Sequence, residues 1–163
     1  MMNESPGSRQ GRSMSLSIRR AGAADIPQMC SLLAELFSIE ADFGQDGEKQ
    51  ARGLKLLLDD GSDSSLVLVA EREAEIIGMC SVQTLISTAE GNTVGLLEDL
   101  IVRSDHRGGG VGTRLLSEIV EWCSGKGISR LQLLRDADNA KAREFYLRKG
   151  WGETRLVCMR KFV

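Results

Sequence analysis

The segment LLEDLIVRSDHRGGGVGTRLLSEIVEWC, residues 96–123, decides how the rest of the chain folds. It begins as an apolar strand with two acidic residues, Glu98 and Asp99, and reaches a loop with four glycines in the five positions 108–112. The apolar residues that follow recur at the spacing of one helix face: Val111, Leu115, Leu116, Ile119, Val120 and Cys123. The segment therefore predicts a strand, a glycine-rich loop and an amphipathic helix in direct succession.

The order of these elements predicts an anion site at the loop. Glycines have no Cβ, so the backbone can approach a ligand closely. The first amides of a helix lack intrahelical partners and lie at the positive end of its dipole, where a phosphate or pyrophosphate fits. Arg107 adds a charged fork of donors, and Arg103 and Arg114 lie nearby in the sequence.

Two common phosphate motifs do not fit this loop. A P-loop needs Lys followed by Ser or Thr after its last glycine, whereas Gly112 is followed by Thr113 and Arg114. The dinucleotide fingerprint Gly-x-Gly-x-x-Gly fails as well, because Thr113 stands where the pattern needs a small third residue. The pattern that does fit is Arg-x-x-Gly-x-Gly, carried by Arg107, Gly110 and Gly112.

The composition is that of one ordinary globular domain. Of 163 residues, 42% are hydrophobic and 27% charged, which predicts a single domain over residues 15–163 after a polar, disordered tail at 1–14. The net charge of −2 does not favour a nucleic-acid partner. The chain has no apolar run near the roughly 20 residues of a membrane span and no secretory signal, so we expect a cytoplasmic protein without a membrane partner.

Cysteine and histidine usage narrows the chemistry further. The four cysteines are scattered without a Cys-x-x-Cys pair, which predicts buried free thiols in a reducing compartment. His106 is the only histidine, and this excludes a histidine-based triad and most zinc sites. We therefore expect no metal.

The remaining patterns predict a mixed α/β fold. Helices are expected from about residue 25 to 37, over 49–58, after the glycine loop, and over 139–149. Hairpin signals precede the central helix, and this favours a mixed sheet over a doubly wound one. Strands are expected at 16–20, 65–71, 76–87, 93–102, 128–134 and 154–162.

A second motif follows the last predicted parallel strand. It reads Asn139-x-x-Ala142-x-x-Phe145-Tyr146 and ends in Gly150-Trp151. Together with the loop pattern it resembles the two signatures of the GNAT acetyltransferase superfamily, over about residues 16–162, with Trp151 in place of the usual Phe. The resemblance implies an α+β GNAT fold with about four helices and a twisted, mostly antiparallel sheet of about seven strands, splayed between strands 4 and 5.

The same resemblance implies how acetyl-coenzyme A would bind. Its pantetheine would pair with the backbone of a bulged fourth strand at Leu100, Ile101 and Val102. Asn139 and Tyr146 would face the acyl end. The pyrophosphate would lie on Arg107 and on the amides of Gly108, Gly109, Gly110, Val111, Gly112 and Thr113.

Transfer to an amine needs a base and an acid. A free amine has a pKa of about 10, so it arrives charged and must lose a proton before it attacks the thioester. Glu98 is the candidate base, because the segment is similar to that of diamine (spermidine/spermine) acetyltransferases. Strict strand alternation places Asp99 on the opposite face, unless a bulge changes that. Tyr146, the only tyrosine, is the candidate acid, and direct transfer is the simpler mechanism.

The sequence leaves more than one class of acetyl acceptor open. The acidic stretch 38–48, with Glu40 and Asp42, is either a solvated loop or a negative lip that attracts a cationic amine such as a diamine or polyamine. The leading hypothesis is an enzyme that acetylates a small-molecule primary amine. The alternatives are a protein N-terminal or lysine acetyltransferase and a non-catalytic acyl-coenzyme A sensor. A homodimer is expected by analogy alone.

Overall fold

The computed structural model describes residues 15–40, 42 and 44–163, so the predicted tail at 1–14 lies outside the described residues. The strands are β1 (Ser17–Arg20), β2 (Ser65–Arg72), β3 (Glu75–Ser87), β4 (Asn92–Val102) and β5 (Leu131–Leu133). The helices are α1 (Ile26–Phe37), α2 (Gly47–Leu58), α3 (Val111–Gly125) and α4 (Ala140–Leu147), with short 3-10 turns at Ala23–Asp25 and Ser104–His106.

The sheet has the strand order β1-β2-β3-β4-β5. The first four strands pair antiparallel with their neighbours, and β5 is parallel to β4. This confirms the mixed, mostly antiparallel sheet and the four helices. The β4–β5 ladder contains only three residue pairs and ends at Leu97 and Leu133, although β4 itself continues to Val102. The two strands are therefore unpaired where the resemblance predicts a splay.

The expected seven strands are wrong for the described residues, which contain five. The predicted strand 154–162 is absent because this segment has no ladder partner and is exposed throughout. The strand expected over 128–134 shortens to Leu131–Leu133. A strand needs a neighbour to hold its backbone groups, so an apolar pattern alone does not form one.

Two apolar layers cover the sheet. One face packs against α3, whose residues Val111, Leu115, Leu116, Ile119 and Cys123 are buried as predicted, whereas Val120 is 43% exposed. The other face packs against α1 and α2 through Met29, Leu33 and Leu54. Both layers fix the position of β4, since its Leu97 belongs to the first and its Ile101 to the second.

The aspartates that precede α1 and α2 have different roles. Asp46 caps α2 by accepting a hydrogen bond from the Lys49 amide at 3.0 Å. Asp25 precedes α1, which has proline in its first turn, but its carboxylate accepts from the Gly22 amide and from Arg19 instead of from the helix. No helix in the described part of the chain is long and apolar enough to cross a membrane.

Candidate active site

The glycine loop leads directly into α3. Gly108 and Gly110 have φ values of 80° and 79°, and Gly110 stands at the N-terminus of the helix. Residues with a Cβ rarely adopt this left-handed backbone conformation, so both positions favour glycine. Residues 107–110 are exposed, and a Cβ at either glycine would meet no described atom within 4 Å. The amides of the first helical turn therefore face an open surface that suits a phosphate group.

The nearby arginines are engaged elsewhere. Arg107 donates from Nη2 to Glu35 Oε1 at 2.5 Å and from Nε to the Val102 carbonyl at 2.8 Å. Arg103 pairs with two carboxylates, and Arg114 donates to a β1-flanking carbonyl. In this conformation the loop offers mainly backbone N–H groups to an anion. Arg107 can bind the anion only if its ion pair with Glu35 is broken or shared. No sequence pattern pointed to Glu35, which lies on α1.

A bulge reshapes β4 beside the unpaired gap. Met79 pairs with Ile101 and Ser81 with Glu98, so two β4 residues, Asp99 and Leu100, stand opposite one residue of β3. Asp99 has a φ of 55°, in the left-handed region that Asp tolerates better than most residues. On the β5 side, the backbone from position 98 onward has no strand partner among the described residues. Leu100–Val102, predicted to pair with pantetheine, lie in this stretch.

The bulge brings both carboxylates toward the face that Ser81 occupies. Gln83 Nε2 donates to Glu98 Oε2 at 2.9 Å, and Glu98 is exposed. Ser81 Oγ lies 3.3 Å from Asp99 Oδ2, where it donates to the carboxylate. Strict alternation would have placed Asp99 on the other face. The sequence could not place it, because a bulge depends on the pairing with β3.

Acidic groups from three parts of the chain act on one another here. Burial, together with the charges of Glu98 and Glu40, raises the pKa of Asp99 to about 6, against the effect of the Ser81 hydrogen bond. Burial also raises the pKa of Glu40, with contributions from Asp136 and Asp42. The predicted Glu40, Asp42 and Glu98 thus belong to one negative region. Asp99 and Asp136 were missed by the sequence interpretation.

Tyr146 adjoins the same region. Its ring makes edge contacts with Phe145 and Trp151, at centroid distances of 5.2 and 5.4 Å. Burial raises the pKa of its hydroxyl, and the Cys80 thiol and Glu40 add to that shift. The phenol is therefore held in its protonated form at neutral pH, as a proton donor requires.

Asn139 has a structural role at the start of α4. Its Oδ1 accepts from the Ala142 amide at 3.0 Å, which caps the helix that carries Tyr146.

The residues that the structure describes contain no group of three His, Cys, Asp or Glu side chains arranged to hold a metal ion. The site therefore consists of backbone donors at the loop, an open strand edge, several carboxylates and one phenol.

Comparisons with known proteins agree with this geometry. Residues 27–151 match the family model described as acetyltransferase (GNAT) family. The chain is 29% identical over 141 residues to the uncharacterized N-acetyltransferase YhfO of Bacillus subtilis, covering 85% of this chain and 91% of that protein. It is 27% identical over 137 residues to the aminoalkylphosphonate N-acetyltransferase of Salmonella typhimurium, covering 84% and 85%.

Solved structures share the fold. A protein described as a transcriptional regulator from Bacillus halodurans superposes with a TM-score of 0.78 at 24% identity, over 91% of this chain and 100% of that one. The glucosamine-6-phosphate N-acetyltransferase of Arabidopsis thaliana gives 0.72 at 21% identity, over 91% and 99%. At these identities the likeness supports the fold alone.

Proposed function

Because the chain belongs to the acetyltransferase (GNAT) family, we propose that it acetylates a small amine that carries more than one positive charge, such as a diamine or polyamine. Enzymes of this family use acetyl-coenzyme A as co-substrate, and the chain is an acetyl-coenzyme A-dependent N-acetyltransferase. The acceptor class rests on one observation, the convergence of Glu40, Asp42, Glu98, Asp99 and Asp136 on the same region.

The donor site fits acetyl-coenzyme A. The left-handed Gly108 and Gly110 keep the loop free of Cβ atoms, so its amides and those of the first α3 turn can hold the pyrophosphate. The unpaired edge of β4 beyond Leu97 offers backbone groups to the pantetheine amides. Acetyl-coenzyme A supplies the thioester carbonyl that the amine attacks.

The negative region attracts and orients the acceptor. The charges of Glu98 and Glu40 raise the pKa of Asp99, and those of Asp136 and Asp42 raise the pKa of Glu40, so these carboxylates lie close enough that a cation among them relieves their repulsion. A polyamine has several ammonium groups spaced along one chain, so one can be held by the exposed Glu98 and Asp42 while another reaches the half-buried Asp99. A single-charge amine would leave part of this repulsion in place.

We assign the proton transfers to three side chains. Asp99, with a pKa of about 6, is ionised at neutral pH yet basic enough to receive a proton from the ammonium group, directly or through water. Glu98 remains a second candidate for that role. Tyr146 holds a proton that it can donate to the departing thiolate.

A free-thiol release assay with acetyl-coenzyme A tests this function. The panel would hold polyamines, diamines, monoamines, aminoglycosides, amino acids and short peptides, and the enzymes would be the wild type and Tyr146→Phe. We expect release with diamines and polyamines, slowed by about 10²–10⁴-fold in the variant.

Other outcomes would redirect the assignment. Release with peptides alone would favour a protein N-terminal or lysine acetyltransferase. Coenzyme A binding without release on any amine would favour a sensor, and in that case Tyr146→Phe would change nothing. A cytoplasmic location and the lack of a nucleic-acid partner stay predictions from the composition.

A further inference from the structure

Ser81 on β3 places a polar side chain inside the apolar core. Only 1% of its surface is exposed, and among the described residues Asp25 is the only other buried residue with a polar or charged side chain. Burying a hydroxyl costs free energy unless the group forms hydrogen bonds. The ion pair with Arg19 accounts for Asp25, so the partners of the Ser81 hydroxyl need an explanation of their own.

The Ser81 hydroxyl lies between two acceptors on β4. Its Oγ is 3.2 Å from the Glu98 carbonyl oxygen and 3.3 Å from Asp99 Oδ2. Both distances exceed the roughly 2.7–2.8 Å that is commonest for such a bond, which fits one hydroxyl shared by two acceptors. The ionised carboxylate is the stronger acceptor, and the carbonyl is the alternative when Asp99 is neutral. The hydroxyl therefore has a partner in both protonation states of Asp99.

The other groups that act on Asp99 favour its neutral form. Burial and the negative charges of Glu98 on β4 and Glu40 after α1 oppose ionisation, whereas the Ser81 hydrogen bond favours it. The charge of Glu40 also acts on Tyr146 of α4, whose phenol stays protonated. Within residues 15–40, 42 and 44–163, Ser81 is the only hydrogen-bond donor to the Asp99 carboxylate.

The neighbouring thiol of Cys80 does not replace this donor. Its Sγ donates to the Ser81 carbonyl at 3.9 Å, and burial, with a smaller effect of the Asp99 charge, raises the pKa of the thiol. The thiol therefore stays neutral. The sequence predicted buried thiols, which is correct for Cys80 and Cys123 but wrong for Cys158, which is exposed.

We propose that Ser81 is a positioning residue for acetyl transfer, which holds the Asp99 carboxylate in place and favours the ionised form that accepts a proton from the ammonium group. This role rests on the proposed function of Asp99 as the base. In the step, a proton leaves the ammonium nitrogen and bonds to a carboxylate oxygen of Asp99, and the freed lone pair attacks the thioester. Ser81 keeps its own proton throughout and turns it toward the Glu98 carbonyl.

The first test measures the link between Ser81 and Asp99 without substrate. Carbon-13 NMR of the side-chain carboxyls follows the titration of Asp99, which is assigned by comparison with Asp99→Asn. Ser81→Ala should move this titration to higher pH, because the charged carboxylate loses its hydrogen bond. Ser81→Thr keeps a hydroxyl and should titrate closer to the wild type.

Ser65→Ala is the matched control for the loss of a serine hydroxyl. Ser65 is a half-buried residue of β2, and its Oγ donates to the Leu57 carbonyl at 3.1 Å. The substitution therefore removes one hydrogen bond outside the site, and the Asp99 titration should stay where it is in the wild type.

The second test extends the link to the reaction. The ratio kcat/KM is measured from about pH 5.5 to 8.5 with an amine that the wild type acetylates. Ser81→Ala should lower it by about 3–10-fold at pH 6 and by less than about twofold at pH 8.5, because more of Asp99 is protonated at the lower pH. In an Asp99→Asn background, Ser81→Ala should cause no further change in the pH profile.

The two tests separate failure of this role from failure of the proposed function. An unchanged Asp99 titration in Ser81→Ala would overturn the role of Ser81 and leave Asp99 as the base. A shifted titration with an unchanged pH profile of kcat/KM would overturn both, because Asp99 would then not be the base. An equal loss of rate at every pH would make Ser81 a structural residue alone.

Discussion

Asp99 combines three properties that single residues rarely share. It occupies a left-handed backbone position with φ 55°, it is half-buried, and its pKa is raised to about 6. Each property follows from the bulge in β4, which turns the carboxylate toward Ser81 and toward the other acids. Burying a carboxylate lowers stability when it ionises, so this arrangement is expected where the charge has a use.

Steady-state kinetics of two variants distinguish the roles of the β4 carboxylates Asp99 and Glu98. We expect Asp99→Asn to lower kcat by about 10²–10⁴-fold and to remove the fall in kcat/KM below about pH 6, because that fall reports protonation of Asp99. Asn also tolerates the left-handed backbone, so the bulge is retained. Glu98→Gln should raise KM for the amine more than it lowers kcat, and a reversed pattern would make Glu98 the base.

The raised pKa of Asp99 also makes the stability of the folded chain depend on pH. Its pKa is higher in the folded chain than the ordinary 3.8, so the folded state binds this proton more tightly and stability falls as pH rises from about 4 to about 6. Asp99→Asn should therefore raise Tm by a few degrees at pH 7.5 and hardly at all at pH 4. An equal change at both pH values would contradict the buried charge.

Asp25 has the opposite dependence on pH. Hydrogen bonds from Arg19, at 2.7 and 2.9 Å, and from the Gly22 amide lower the pKa of its carboxyl, against the effect of burial. The ion pair is therefore fully stabilising above the ordinary pKa of 3.8 and is lost as pH falls further.

Asp25→Asn should accordingly destabilise the chain by about 1–3 kcal/mol at pH 7. The difference between the variant and the wild type in the free energy of unfolding should shrink below pH 4. Urea unfolding at pH 7 and below pH 4 measures this difference. The exposed Lys55–Asp59 pair is the control, and Asp59→Asn should change stability by less than about 1 kcal/mol.

At the scale of elements, the close packing of β3 against β4 depends on Gly78. A Cβ there would stand 3.0 Å from the Ile101 carbonyl oxygen and 3.3 Å from Leu115. Since a backbone atom of the bulged strand cannot move aside easily, Gly78→Ala should destabilise by about 1–3 kcal/mol. It should also lower activity, because β4 carries the candidate base.

A glycine in a helix gives the matched comparison. Gly53 lies on the exposed side of α2, and a Cβ there would meet nothing within 4 Å. Gly53→Ala should stabilise the chain by about 0.5–1 kcal/mol, because alanine loses less backbone entropy in a helix. Thermal unfolding of both variants tests the contrast, and equal effects of one sign would refute it.

At the scale of the whole molecule, charge is distributed unevenly. The net charge is only −2, yet five carboxylates gather at the proposed acceptor site. Salt screens charges separated by more than about 10 Å at 0.1 M, so added salt weakens the attraction of a polycation to this region.

We therefore expect kcat/KM for a triamine to fall several-fold between about 0.02 and 0.2 M salt. A monoamine of similar length is the control and should show a smaller decrease. Glu40→Gln should reduce the salt dependence for the triamine. Equal slopes for the two amines would contradict a polycation site.

The sequence by itself determined the parts of this protein that are built from consecutive residues. The glycine loop, the buried face of α3 and the family signatures are local patterns, because turn geometry and helix periodicity depend on near neighbours. The mixed sheet could be inferred from the order of these elements.

Only the tertiary structure decided what depends on pairing between distant segments. The position of Asp99 follows from the register of β4 against β3, the neutralisation of Arg107 follows from Glu35 on α1, and the number of strands follows from whether residues 154–162 find an edge. Registers and ion pairs are set by contacts between segments far apart in the chain, which no local pattern encodes.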